Sequence, residues 1–141
     1  MKILLAVDGS EYSRRAANYV AKHATWLKEP PELHLLYVHL PLPYKGAAKV
    51  VGKAVIERYE REESEAALAV AEKELAASKL KAKSTWRVGD VVEEIAKYVE
   101  KNGIDMIVVG SRGRGAVAAL ALGSVTMKVL ATLQTPVLVV R

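Results

Sequence analysis

Short apolar runs alternate with longer stretches in which apolar residues recur every three or four positions, the pattern of strands and helices in succession. Ile3–Val7 is an apolar run that stops at Asp8-Gly9-Ser10, a turn and helix-cap cluster. A helix follows from Ser10 with Ala16, Ala17, Val20, Ala24 and Leu27 on its buried stripe, ended by Pro30-Pro31. Leu33–Leu40 is apolar enough for a strand covered on both faces. Pro41–Lys53 holds two prolines and two glycines and reads as the one long loop. Ala54–Lys79 is a long helix whose inward stripe falls at Ile56, Tyr59, Ala67, Val70, Ala71 and Leu75.

Lys81–Val88 alternates Lys81, Lys83, Thr85 and Arg87 with Ala82, Ser84, Trp86 and Val88, and lysines on an alternating strand suit a sheet edge. Asp90, with Glu93 three residues on, opens a helix through Glu100 that Asn102-Gly103 ends. Asp105–Val109, a helix through about Thr132, and Pro136–Val140 complete the series. Five strands, each separated by a stretch long enough for a crossover, predict an α/β fold: one doubly wound sandwich with a five-stranded parallel sheet and helices on both faces. Alternation alone does not give the strand order.

Composition narrows the setting. The 141 residues suffice for one domain with its own core, and no cysteine is present to demand an oxidising compartment. The net charge of +5 raises the question of nucleic acid. Its Lys and Arg alternate with Glu through Glu57–Lys73 as a solvated helix face, so a nucleic-acid partner is not expected. The apolar run after Lys2 is too short for a signal-peptide core, and Ala116–Leu122 is far shorter than the ~18–20 residues that span a bilayer. The expectation is a cytoplasmic protein without a membrane segment.

The chemistry concentrates behind the fourth strand, in Gly110-x-x-Gly113-(x)9-Gly123-Ser124. Glycines at a strand's carboxyl end let backbone N–H groups approach an anion, and Ser124 adds a hydroxyl and the positive end of a helix dipole. A polyphosphate is the guest these features suit, with Arg112 or Arg114 to neutralise its charge. Asp8 cannot usefully face phosphate oxygens without a cation between, so it implies Mg2+ or ribose hydroxyls.

This spacing, with Met1-Lys-Ile-Leu-Leu-Ala-Val-Asp-Gly-Ser-Glu-Tyr-Ser13 at one end and Pro136-Val-Leu-Val-Val140 at the other, resembles the universal stress protein family and its ATP-binding branch, across essentially the whole chain. The resemblance implies strand order 3-2-1-4-5, which makes the first and fourth strands neighbours and sets Asp8 across one crevice from the Gly110 loop. It places nucleotide contacts at Asp8, Val38, Gly110, Arg112, Gly113, Gly123, Ser124, Val125 and Thr126, with the Val38 backbone toward adenine. It implies ATP, ADP or AMP as ligand, with Mg2+ or Mn2+ at Asp8 as an option. Many members carry His where this chain has Arg112. The resemblance, and an apolar edge strand at Val137–Val140, point to a homodimer.

Rival motifs fail. Gly113-x-Gly115-x-x-Ala118 has the letters of a dinucleotide fingerprint, but the following strand ends without the acidic residue that would hold a ribose. No Walker A run occurs, and the aspartate and lysine of a receiver domain are missing from the third and fifth strand ends. His23 and His34 read as surface or edge residues, and His39 as a neighbour of the adenine pocket. Ser10, Ser111 and Ser124 have no His/Asp partner for nucleophilic catalysis. Two alternatives to a nucleotide-responsive binding protein stay open: a slow Mg-dependent ATPase, for which no general base is evident, and a nucleotide-free interaction module. In the nucleotide-responsive reading the Pro41–Lys53 loop, next to the adenine end, is the segment placed to order over bound nucleotide and present a surface to a protein partner that the sequence does not identify.

Overall fold

The computed structural model describes residues 1–41, 52–115 and 122–141. Most of the loop expected over Pro41–Lys53, and the start of the helix expected after Gly115, therefore lie outside the described residues. The elements run β1 (Lys2–Val7), α1 (Glu11–His23), a 3-10 turn (Ala24–Trp26), β2 (Glu32–His39), α2 (Lys53–Ala77), β3 (Ala82–Val88), α3 (Val91–Asn102), β4 (Met106–Gly110), α4 (Ser124–Thr132) and β5 (Val137–Val140). Two helix starts follow from their caps. Ser10 accepts from the Ser13 N–H at the head of α1, and Asp90 accepts from the Val92 and Glu93 N–H groups at the head of α3. Gly103, at φ 62°, closes α3 in the left-handed conformation that glycine adopts without strain.

All pairings are parallel and the sheet order is β3-β2-β1-β4-β5, the doubly wound arrangement expected from the sequence. β1 pairs with β2 from Lys2↔Glu32 to Val7↔Tyr37 and with β4 from Ile3↔Met106 to Ala6↔Val109. Helices cover both faces. On one, Leu5, Leu35, Tyr37 and Val108 pack under Ala16, Ala17 and Val20 of α1 and Ala67, Ala71 and Leu75 of α2. On the other, Leu4, Leu36, Ile107 and Val109 pack under Ile95 and Tyr98 of α3 and Val129 of α4. Among the described residues no helix is long and apolar enough to cross a membrane.

The structure moves two sequence expectations. The buried stripe of α2 is Ser64, Ala67, Leu68, Ala71 and Leu75, while Tyr59 is 47% exposed. Small residues occupy the stripe because α2 passes close to the β1–α1 turn: a Cβ built on Gly9 would sit 2.9 Å from the Ala67 Cα. His34 is not a surface residue but 2% exposed, its Nδ1 paired with the Tyr98 hydroxyl at 2.8 Å and its Nε2 with Glu32 at 3.1 Å. A buried imidazole is tolerated because both nitrogens have partners.

Candidate functional site: a cleft between the first and fourth strands

β1 lies between β2 and β4, so the connections leaving the carboxyl ends of β1 and β4 diverge to opposite faces and open a crevice, as is general at such switch points. The cleft there holds about 300 Å³, and all nine residues that the sequence marked as nucleotide contacts line it.

On the β1 side, Gly9 turns the chain at φ 76°, a conformation strained for any residue with a Cβ. This turn aims the Asp8 carboxylate across the opening of α1. Its Oδ1 accepts from the Ser10 N–H at 3.0 Å and the Ser13 hydroxyl at 2.7 Å. Its Oδ2 accepts from the Arg114 N–H at 2.9 Å. Burial opposes the charge of Asp8, but the bonds from Ser10, Ser13 and Arg114 outweigh it and hold the carboxyl below its ordinary value. The Asp8 carboxylate, for which the sequence implied Mg2+ or ribose hydroxyls, therefore already meets protein donors on both oxygens. A cation at Oδ2 must displace or share the Arg114 amide. Among the described residues no cluster of three His, Asp or Glu side chains stands ready to hold a metal.

On the β4 side, the glycines meet a packing demand that their spacing does not reveal. Neither Gly110 nor Gly113 has a left-handed φ. Gly110 is required by packing: a Cβ there would lie 2.6 Å from the Tyr12 Cβ and 2.9 Å from the Tyr12 carbonyl carbon and oxygen. A Cβ at Gly113 would overlap the Asp8 Oδ2. Both are close approaches between the β4 loop and the β1–α1 turn.

The chain returns to the cleft through Gly123, whose N–H donates to the Ser111 carbonyl at 2.8 Å. This places the head of α4 at the cleft, with Gly123 as an N-cap that has no side chain to satisfy the first turn. The N–H groups of Ser124, Val125 and Thr126 thus lack helical acceptors and carry the positive end of the α4 dipole. The Thr126 hydroxyl donates to the Gly110 carbonyl at 2.9 Å and ties α4 to the end of β4. Ser124 is exposed at the mouth. The Arg112 guanidinium donates to the Tyr12 hydroxyl at 3.0 Å and lies over its ring.

The other end of the cleft is apolar, lined by Leu36 and Val38 of β2 and by Val91 and Ile95 of α3. Along a strand, the N–H and C=O of one residue face one neighbour and those of the next face the other. The His39 carbonyl accepts from the Gly89 N–H beside β3, so Val38 faces β1. The β1 ladder stops at Val7↔Tyr37, which leaves the Val38 carbonyl directed past the end of β1. His39 does not line the cleft. It is buried on the α2 side, its Nδ1 on the Leu40 carbonyl and its ring beside Tyr59.

Sequence reasoning missed Ser13, Val91 and Ile95. Ser13 had a signal in its spacing, since a residue one turn inside a helix faces back onto the residue before its cap. Val91 and Ile95 had none, because their place over Val38 depends on how α3 crosses the sheet.

The whole chain, residues 1–141, matches the universal stress protein family. A universal stress protein of Thermus aquaticus is 35% identical over 99% of this chain and 97% of its own length. Universal stress protein MJ0577 of Methanocaldococcus jannaschii is 33% identical, with a solved structure superposing at TM-score 0.79 over 99% of this chain and 94% of that one. The UspA structure from Lactobacillus plantarum superposes at 0.81 over 100% and 97%, at 24% identity. Solved structures of this fold at lower identity include universal stress proteins in complex with cAMP, with dAMP (Archaeoglobus fulgidus) and with AMP (Arabidopsis thaliana). With its fold, its β1–β4 cleft and its full-length match, the chain belongs to the universal stress protein family.

Proposed function

We propose that residues 1–141 form one nucleotide-binding domain that acts in the cytoplasm as a stress-response signalling protein, with occupancy by ATP, or by ADP or AMP, as its signal. The observation that carries this reading is the polarity of the cleft. One end offers uncapped helix amides and Arg112 to an anion, and the other offers an apolar slot and the Val38 carbonyl to a base. Their separation within one cleft is what a nucleotide needs, since its phosphates and its base lie at opposite ends of the molecule. The complexes of relatives with adenine nucleotides support the same ligand class.

In this reading Gly110, Gly113, Gly123, Ser124, Val125 and Thr126 shape or contribute the phosphate end, and Val38 reads the base. Asp8 borders both ends. Mg2+ or Mn2+ would accompany a polyphosphate and screen its charge beside Asp8. Hydrolysis is weak or absent, because among the described residues no side chain at the head of α4 is placed as a general base. Calorimetric titration with ATP, ADP, AMP and GTP tests the reading: saturable binding of adenine nucleotides is expected. An absence of binding at millimolar ATP would refute it and leave an interaction module. Sustained turnover above about 1 per second would make the protein an ATPase instead.

The same proposal includes a homodimer through β5. The Ile107 N–H bonds the Pro136 carbonyl and the Ser111 N–H bonds the Val140 carbonyl, so Pro136, Leu138 and Val140 face β4. The main-chain groups of Val137 and Val139 then face outward along an open edge, available to a second copy.

A further inference from the structure

A carboxylate beside a phosphate site invites assignment as a metal ligand, and the geometry around Asp8 points elsewhere. Oδ1 belongs to a closed ring within the β1–α1 turn: it accepts from Ser10 N–H and Ser13 O–H, and the Asp8 N–H donates to the Ser13 oxygen at 2.9 Å. Oδ2 reaches out of that ring to the Arg114 N–H, a residue 106 positions away in the chain. Gly113, immediately before, has no Cβ to obstruct that approach, and one placed there would collide with Oδ2. The Arg114 side chain folds back the same way, its Nη2 lying 2.8 Å from where a Cβ on Gly9 would stand. Main chain and side chain of Arg114 thus both close onto the β1–α1 turn.

We propose that Asp8 is a positioning residue: it latches the Gly113–Gly115 turn to the head of α1 through the Arg114 amide, setting the phosphate-binding surface before ligand arrives, and any divalent cation is held by the nucleotide's phosphates rather than by this carboxylate. The inference rests on the nucleotide reading above for its ligand, though the latch itself exists without one. Its energetic basis is ordinary. A hydrogen bond to a charged acceptor is stronger than a neutral one, and a turn ordered in advance does not lose that freedom on binding.

Asp8→Asn separates latch from metal ligand. The amide oxygen still accepts from Ser10 and Ser13, while the NH2 group meets the Arg114 N–H with a second donor. Two readouts follow. In ligand-free protein, the Arg114 amide should exchange with solvent about tenfold faster in the variant than in wild type. ATP affinity should fall by about tenfold both in EDTA and with Mg2+, leaving the ratio between the two conditions as in wild type. A loss confined to the Mg2+ condition would make Asp8 a metal ligand and overturn the proposal. So would unchanged exchange and affinity. Should Asp8→Asn not fold, wild-type exchange decides alone: protection of the Arg114 amide by tenfold or more supports the latch, and exchange at the rate of an unstructured chain overturns it. Because the exchange readout needs no nucleotide, a protein that fails to bind ATP counts against the proposed function and not against the latch.

Discussion

Replacing Gly110 by Ala tests whether the glycine motif is a packing device before it is a binding device. A Cβ at this position meets Tyr12 at 2.6 Å (Cβ) and 2.9 Å (carbonyl carbon and oxygen), and ordinary contact begins at 3.4 Å. The shortfalls are 0.8 and 0.5 Å, and two of the three obstructing atoms are main chain, which no rotamer change can move. The first turn of α1 must therefore lift from the end of β4. Overpacking of this kind costs about 1–3 kcal/mol. At roughly 2–4 °C per kcal/mol for a chain of this size, Tm should fall by about 2–12 °C. The same turn carries Ser10 and Ser13, which hold Asp8, and the Tyr12 hydroxyl, which holds Arg112, so ATP affinity should fall as well. Gly115→Ala is the internal control. It lies in the loop that follows Gly110, its φ is not left-handed and, among the described residues, nothing stands within 4 Å of the added carbon, so its stability should stay within about 0.5 kcal/mol of wild type. Urea unfolding with linear extrapolation measures both variants. Equal stability for Gly110→Ala and Gly115→Ala would refute the packing argument.

Three further outcomes are expected. The folded-state pKa of Asp8 lies below its unfolded value, so the unfolded chain binds the proton more readily; the stability Asp8 contributes is present above about pH 5 and is lost as pH falls through its folded pKa. Urea midpoints between pH 6 and pH 3 should therefore fall more steeply in wild type than in Asp8→Asn, and parallel curves would contradict this. Tyr98→Phe strips the hydroxyl from the Nδ1 of buried His34 and should cost about 1–3 kcal/mol in the same unfolding assay; a neutral result would mean that water or a ring flip satisfies the nitrogen. Val139→Pro removes an outward-facing N–H from β5 without touching the β4 ladder, so light scattering should find the proposed dimer in wild type and folded monomer in the variant; a dimeric variant would place the interface elsewhere.

Strand number and direction, and strand limits to within one residue, were legible because a parallel sheet covered on both faces needs near-continuous apolar runs, and Ile3–Val7, Leu33–Leu40 and Asp105–Val109 supply them. The α2 stripe was less so. Ile56, Tyr59 and Val70 fit a helical period as well as Ser64 and Leu68 do, and periodicity does not say how far a helix overhangs the sheet. Contact with Gly9 decides it, by demanding a small residue at Ala67 and thereby fixing the rotation of the helix. His34 shows a similar limit. Its polarity reads as exposure, and only the fold brings Tyr98, 64 positions along the chain, to its ring.

In the site, the nine residues marked in the sequence line one cleft, and the structure adds contacts among them that the motif does not show. Glycine spacing was read as access for an anion, yet Gly110 and Gly113 are small because Tyr12 and Asp8 come against them from the β1 side. Thr126 was placed among the nucleotide contacts, and its hydroxyl fastens the head of α4 to β4. Asp8 was read as facing Mg2+ or ribose hydroxyls, and in the structure its Oδ2 accepts from the Arg114 N–H. Each addition has the same cause. A motif records which residue types occur at which spacing, whereas a cleft between two separated strands is built by contacts about a hundred positions apart, such as Asp8 to Arg114 and Tyr12 to Arg112. Those contacts brace the two walls of the cleft against each other, so the motif's glycines and its acid act first as a joint. The amides at the head of α4 are the part of the motif left over for a ligand.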